Sequence, residues 1–345
     1  MRRQYRLQRS LQAFLLGSCL SIFSLTSAYA EDAPSVTAHN YVRAESDFQM
    51  KGYIESYKCF GKFHHSRKPY DVKNQVTVRG NRDTLYSFGV FDLRSPVTIT
   101  LPETMGRYQS LMIVNQDHSI WSFYGPRTGT LTEEKVGTRY VLLAIRTFAD
   151  PNDEQDMQEA YRLQDAVVVE QADIGKFDVP DWNKEEVEQM RATINVIGAT
   201  VTDSSKFFGR KENLDPVYWM LGAALGWGGL PAQAATYAID FPEKNDGKTP
   251  YTITLSDVPV HGFWSVTLYD GKGYMPVNKY NAYSFNNITA KKNKDGSVTI
   301  HFGGDPEADN FLPIIPGWNL LGRMYQPGQE ILDGRWTFPI AEAVK

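Results

Sequence analysis

Only two cysteines, Cys19 and Cys59, occur in 345 residues, neither charge is in strong excess, and no apolar run is long. Each shortage excludes something. Lys+Arg 36 against Asp+Glu 40 leaves a formal charge of -4, so no positive field gathers phosphate backbones, and nucleic acid is not expected as a partner. No segment approaches the roughly 20 apolar residues that cross a bilayer, so no membrane anchor is expected. A Gly-x-Ser-x-Gly elbow, a Walker loop and a Gly-x-Gly-x-x-Gly after a strand are all missing, and standard α/β-hydrolase, NTPase and dinucleotide-binding readings fall with them. None of the six histidines sits in a His-x-x-x-His helix or a Cys/His cluster. Hence no zinc site and no organic cofactor is expected, while a divalent ion held by loop Asp and Asn stays open.

What is present begins with a leader. Arg2, Arg3, Arg6 and Arg9 precede the apolar stretch Leu11 to Leu25, and Ala28-Tyr29-Ala30 supplies the small-x-small pattern of signal-peptidase cleavage. Residues 1–30 read as a signal peptide, with a periplasmic or secreted mature chain from Glu31. Two variants compete: Leu16-Gly17-Ser18-Cys19 as a lipoprotein box, and Arg2-Arg3 as a twin-arginine signal. Apolar residues continue past Cys19, which favours the Ala30 cut. Cleavage there leaves Cys59 alone, so no internal disulfide forms and this thiol reads as a buried hydrophobe.

The mature chain reads as mainly β. Tyr41 to Phe60 has helical spacing; six short β-branched and aromatic segments follow, Gln75–Arg79, Thr84–Phe91, Val97–Leu101, Tyr108–Val114, Ser119–Tyr124 and Arg139–Ile145. Helical patterns occupy Asp153 to Val169 and Asn183 to Val201, and Leu214 to Tyr237 is a Gly-rich connection. Strands resume at Tyr251–Leu255, Gly262–Tyr269, Ser297–Phe302 and Asn319–Tyr325, with Asp295-Gly296 as a hairpin turn signal. The expectation is two antiparallel β-sandwich or barrel-like domains, 52–150 and 236–345, joined by a helical and Gly-rich region, 151–235.

Arg79-Gly-Asn-Arg-Asp-Thr-Leu-Tyr-Ser87, Phe91-Asp92-Leu93, Leu101-Pro102 and Gly106-Arg107-Tyr108 together resemble the domain of unknown function 1254. Phe263-Trp-Ser-Val-Thr-Leu-Tyr-Asp270, Asp295-Gly-Ser297, Leu312-Pro313 and Ile331-Leu-Asp-Gly-Arg-Trp336 resemble its usual companion, the domain of unknown function 1214. The resemblance implies two antiparallel β domains in an exported bacterial protein and carries no reaction with it. The chain departs from the usual pattern at Gly80-Asn81-Arg82 and at Asn310-Phe311-Leu312-Pro313.

Gly80-Asn81-Arg82-Asp83 places an amide, a cation and an anion in one turn at a sheet end, and Thr84 and Tyr86 share the face above it. The competing reading is a turn that satisfies itself, with Asn81 and Asp83 bonded to their own backbone and Arg82 paired with Asp83. His65 matches a recurrent histidine upstream of the Asp83-Thr-Leu-Tyr-Ser motif, and Asp117 follows a strand as a carboxylate able to orient His118. The expected constellation is His65, Asp83 and Tyr86 as catalytic residues, with Asn81, Arg82, Asp117 and His118 binding substrate. Two functions fit: an exported hydrolase or lyase acting on a small or saccharide-like, anionic compound, and a non-catalytic periplasmic ligand-binding or interaction module. Trp264, Trp318 and Trp336 are candidate stacking platforms for the second, against the commoner role of strand aromatics as core.

Overall fold

Alternation of apolar and polar side chains builds the first sandwich of the computed structural model, which describes residues 33–75, 78–201, 203 and 205–344. The leader, Cys19 and the Glu31 start lie outside these residues. A five-stranded sheet runs in the order His64–His65, Thr84–Asp92, Tyr140–Phe148, Gln109–Asn115, Ile120–Tyr124, every neighbour antiparallel. A three-stranded sheet, Arg127–Leu131, Val97–Leu101 and Val168–Gln171, covers one of its faces. Phe91, Leu111, Ile113, Val141, Leu143 and Ile145 meet Val97, Ile99 and Leu101 between them. The Gln109–Asn115 and Tyr140–Phe148 strands are buried at every position because their second face is covered too.

The cover comes from the helix Tyr41–Tyr57 and from the C-terminal half. There two four-stranded sheets face each other, Ser284–Asn286, Trp264–Tyr269, Asn319–Tyr325, Ala235–Asp240 and Phe311–Leu312, Val298–Phe302, Tyr251–Leu255, Glu342–Ala343. Their shared core includes Ile253, Val266, Ile300, Leu320 and the fully buried Trp318. The protein is thus mainly β and antiparallel, apart from a short parallel pair between Val298–Phe302 and Phe311–Leu312 and an isolated parallel bridge between Phe60 and Val90. Pro34–Lys345 forms one compact unit, and the two sandwiches meet along a seam where Tyr108, Met112 and Phe148 pack on Phe263 and Tyr325. Three helices, Tyr41–Tyr57, Lys184–Gly198 and Pro216–Gly226, pack together beside this seam; Asn183 and Asp215 cap the latter two with their side-chain oxygens.

Two sequence expectations change. The segment expected as strand Gln75–Arg79 has Val78 and Arg79 in a turn, with Val76 and Thr77 outside the described residues. Arg79 takes φ 55 and gives its N–H to Gly273 O, and Gln75 bonds the Met275 backbone, so this segment is spent on docking to the C-terminal sandwich. The helix expected over Asp153 to Val169 stops at Asp165, and the β-branched Val168-Val169 enter a strand that pairs with Val97–Thr100.

Candidate functional site

Residues directly opposite in an antiparallel ladder share a face. On the seam side of the N-terminal sheet, Tyr86 lies opposite Arg146, Arg146 opposite Ser110, and Ser110 opposite Tyr124. The facing C-terminal sheet carries the row Ser265, Arg323, Tyr237. Between the rows opens a cavity of about 350 Å³, lined by Arg79, Asn81, Tyr86, Arg146, Tyr237, Arg323 and Tyr325 and walled by Leu230, Ile239 and Leu321. Three guanidinium groups and no carboxylate line it. Tyr237 and Ile239, 46% and 52% exposed, form its mouth.

The arginines divide by their partners. Arg323 is 3% exposed and gives its protons to Thr267 Oγ1 at 2.8 Å, Tyr269 Oη at 2.6 Å and Arg79 O at 2.9 Å. Arg79 reaches Asn319 Oδ1 at 2.9 Å and lies over the Tyr269 ring. Both are built into the wall. Arg146, 9% exposed, has only Met112 Sδ at 3.7 Å and the Tyr86 phenol, whose ring centroid is 5.3 Å from its guanidinium carbon. A guanidinium carries five N–H donors, and no carboxylate among the described residues pairs with this one. Ser110 Oγ beside Arg146, Ser265 Oγ beside Arg323 and Tyr108 Oη are also buried without a hydrogen-bond partner. Those hydroxyls lie behind the cavity lining, and it is Arg146 that offers the cavity N–H donors the protein does not use, which is the condition for holding a polar anion.

Two phenols in the cavity are driven apart. Burial pushes the Tyr86 phenol up, but the charge of Arg146 and hydrogen bonds from Arg146, Thr84 and Asn81 outweigh it and hold Tyr86 below its ordinary value of 10.0. Burial dominates at Tyr325 and holds it well above that value. Asn81 bridges the pair, its Nδ2 donating to Tyr325 Oη at 2.8 Å and standing 3.5 Å from Tyr86 Oη. Its Oδ1 accepts from Asp83 N, so the same side chain closes the local turn. A Cβ at Gly80, the turn's entry, would sit 2.3 Å from the Tyr70 ring, so a larger residue there requires that ring to move. A buried cation without a carboxylate costs stability, so Arg146→Met is expected to raise the unfolding free energy by about 1 kcal/mol, measured by chemical denaturation.

Of the residues singled out in the sequence, the structure brings Asn81 and Tyr86 together. The others lie elsewhere. Arg82 turns away to Tyr70 O and stacks on Tyr283, so it does not pair with Asp83. Asp83, 3% exposed, accepts from Ser284 Oγ through Oδ1 while Oδ2 has no partner. Both edge a separate cleft too small for an organic ligand, about 30 Å³. Ser284 accepts in turn from Thr267, which holds Arg323, so Asp83 reaches the cavity wall only through a relay of hydroxyls. Asp83→Ala is expected to lower unfolding stability by roughly 1–3 kcal/mol by breaking that relay.

His65 lies opposite Ser87 and bonds its Oγ at 2.8 Å; Ser87 and Tyr86 face opposite sides of one strand, so the expected His65–Tyr86 meeting fails on pleat geometry. Burial, aided by the charge of Arg67, lowers the His65 pKa. Asp117 does not orient His118, because Arg43 and Lys211 take its carboxylate. His118 is fully buried, held neutral with its pKa pushed down to about 3, and its Nε2 accepts from Gly228 N at 3.0 Å. Its role is in the core. Trp264 and Trp318 are core residues as well.

Sequence reasoning missed Arg146, Arg323, Tyr237 and Tyr325. The available signal was a lone cation inside an otherwise apolar strand, in Tyr140–Phe148 (YVLLAIRTF) and Asn319–Tyr325 (NLLGRMY).

Residues 60–134 match the family model described as protein of unknown function (DUF1254), and residues 234–329 that of protein of unknown function (DUF1214). Arg79, Asn81 and Tyr86 fall in the first match and Tyr237, Arg323 and Tyr325 in the second, so the cavity forms where the two meet. The fold is similar to that of the VPA0106 protein from Vibrio parahaemolyticus, at 20% identity and a TM-score of 0.66 over 89% of this chain and 98% of that one. An uncharacterized protein from Burkholderia cenocepacia aligns at 13% identity and a TM-score of 0.49 over 92% of each chain. No curated protein matches the sequence.

Proposed function

We propose that this chain, which carries DUF1254 followed by DUF1214, binds a carboxylate-bearing saccharide-like compound in the cavity between its two sandwiches and cleaves it as a lyase. The observation that carries the reading is Arg146, a buried cation that faces a cavity lined by no acid. A carboxylate suits its planar fork, with Asn81 Nδ2 as a neighbouring donor.

The reaction class follows from the remaining side chains. Glycoside hydrolysis by paired carboxylates needs two acids across the bond, and none lines this cavity. Two phenols whose protonation is pushed in opposite directions suit proton abstraction instead. With the substrate carboxylate on Arg146, the adjacent carbon becomes acidic because the guanidinium stabilises the enolate charge. Ionised Tyr86 takes that proton, the C–H electron pair becomes a C=C bond, and the neighbouring C–O bond breaks with its pair going to oxygen. Tyr325 protonates the leaving oxygen, and the proton on Tyr86 returns to Tyr325 by way of solvent at the mouth. The products are an unsaturated acid and an alcohol, with both phenols restored.

The test is the ultraviolet absorbance of an unsaturated acid, followed while purified protein acts on pectate, alginate and hyaluronate fragments. Absorbance growth that Tyr86→Phe abolishes supports the lyase. Saturable binding of the same fragments with no turnover supports the non-catalytic module. The reading includes export, with cleavage after Ala30. Intact-mass measurement of the exported protein is expected to give a chain starting at Glu31; an acylated Cys19 start, or retention of Arg2, contradicts it.

A further inference from the structure

We propose that the substrate is an acidic oligosaccharide of at least two sugar units, whose second unit sits in the groove beyond Tyr124. The proposal rests on the carboxylate reading of the Arg146 cavity and extends it along the sheet. Tyr124 ends the row Tyr86, Arg146, Ser110, Tyr124, and two strand spacings place it about 10 Å from Arg146. There it lines a groove of about 740 Å³ together with Trp121, Tyr218, Lys206 and Arg210. The two spaces share a partition, since Leu230 walls the cavity while Pro231 and Ala234 wall the groove. Ser110 between them is fully buried, so the route from cavity to groove runs over the mouth, from the exposed Tyr237 to the half-buried Tyr124.

The groove's charge selects the second unit. The Arg210 guanidinium carbon stands 3.5 Å from the centroid of the Trp121 ring and has no ion pair among the described residues, so a cation is held in place with its charge unspent. Asp215, the one acid of the lining, caps a helix through Oδ1, which accepts from Val217 N and Tyr218 N, and it stands against two cations, Arg210 and Lys206. A second carboxylate therefore finds Arg210 and Lys206. An extended peptide fits less well: Ile120 N already donates to Gly209 O, which leaves only Ser122 and Tyr124 with outward main-chain groups on this edge. Aromatic faces beside hydroxyl and amide groups suit the apolar face and hydroxyl rim of a sugar ring.

Calorimetric titration of the full mature protein carrying Tyr86→Phe, which keeps both arginines and does not turn over, with galacturonate and with its di- and trimer, and with the matching series from alginate, tests the subsite. Affinity is expected to rise about tenfold from the single unit to the dimer or trimer in one of the series. Arg210→Glu is expected to flatten that rise, and Trp121→Phe, which frees Arg210 without changing charge, to reduce it. Equal affinity at every length, or a rise that Arg210→Glu leaves intact, overturns the subsite and leaves the Arg146 cavity standing. Binding of no length overturns both.

Discussion

Tyr86→Phe is expected to lower turnover of an acidic saccharide by about 10²–10⁴-fold with little change in KM. The substitution removes one oxygen and leaves the ring against Phe88, so the fold has no reason to change. The effect falls on turnover because the phenol holds the moving proton, whereas the carboxylate is held by Arg146. The pH profile gives the sign. Tyr86 acts ionised, so the rate rises as pH rises through its pKa, which lies below 10.0 because Arg146 and its hydrogen-bond donors overcome the effect of burial. In Arg146→Lys the same limb is expected at higher pH, since a more mobile point charge stabilises the phenolate less. A Tyr86→Phe enzyme with unaltered turnover contradicts the assignment of the base.

The second large effect is on binding. Arg146→Met is expected to weaken affinity for a monocarboxylate sugar by about 30-fold or more, in line with the roughly 2–5 kcal/mol lost when one partner of a buried hydrogen-bonded charge pair is removed. The same variant is expected to unfold at higher denaturant. Opposite signs for stability and affinity separate a functional arginine from a structural one: a guanidinium that merely supported the fold would lose both. Arg323 provides the contrast, because its donors already serve Thr267, Tyr269 and the Arg79 backbone.

The strands were legible where composition and pleat agree, as in Tyr251–Leu255 and Trp264–Tyr269, which are rich in β-branched and aromatic residues and bounded by turn signals. Short edge strands escaped notice. Arg127–Leu131 is mostly exposed and Glu342–Ala343 has two residues, so neither carries an apolar pattern for burial to impose. The site was half legible for a different reason. Asn81 lies in the turn that opens the Thr84–Asp92 strand and Tyr86 stands on that strand just beyond it, so local reasoning could put both at one sheet end. Arg146 and Tyr325 reach the same cavity through a pairing of two sheets some 180 residues apart in the chain, which no local pattern encodes. His65 failed by one residue. With a period of two, the neighbour of a correctly placed position points to the opposite face, and it is His64, opposite Phe88, that lies on the Tyr86 side.

The account turns on whether the cavity holds a carboxylate. Calorimetric titration of galacturonate against galactose, on the wild-type protein and on Arg146→Met, asks this most directly, since the two sugars differ only in the acid group. Saturable binding of galacturonate alone, weakened by added salt and lost in Arg146→Met, is the predicted result. Equal binding of the two sugars, or galacturonate affinity untouched by Arg146→Met, contradicts the account.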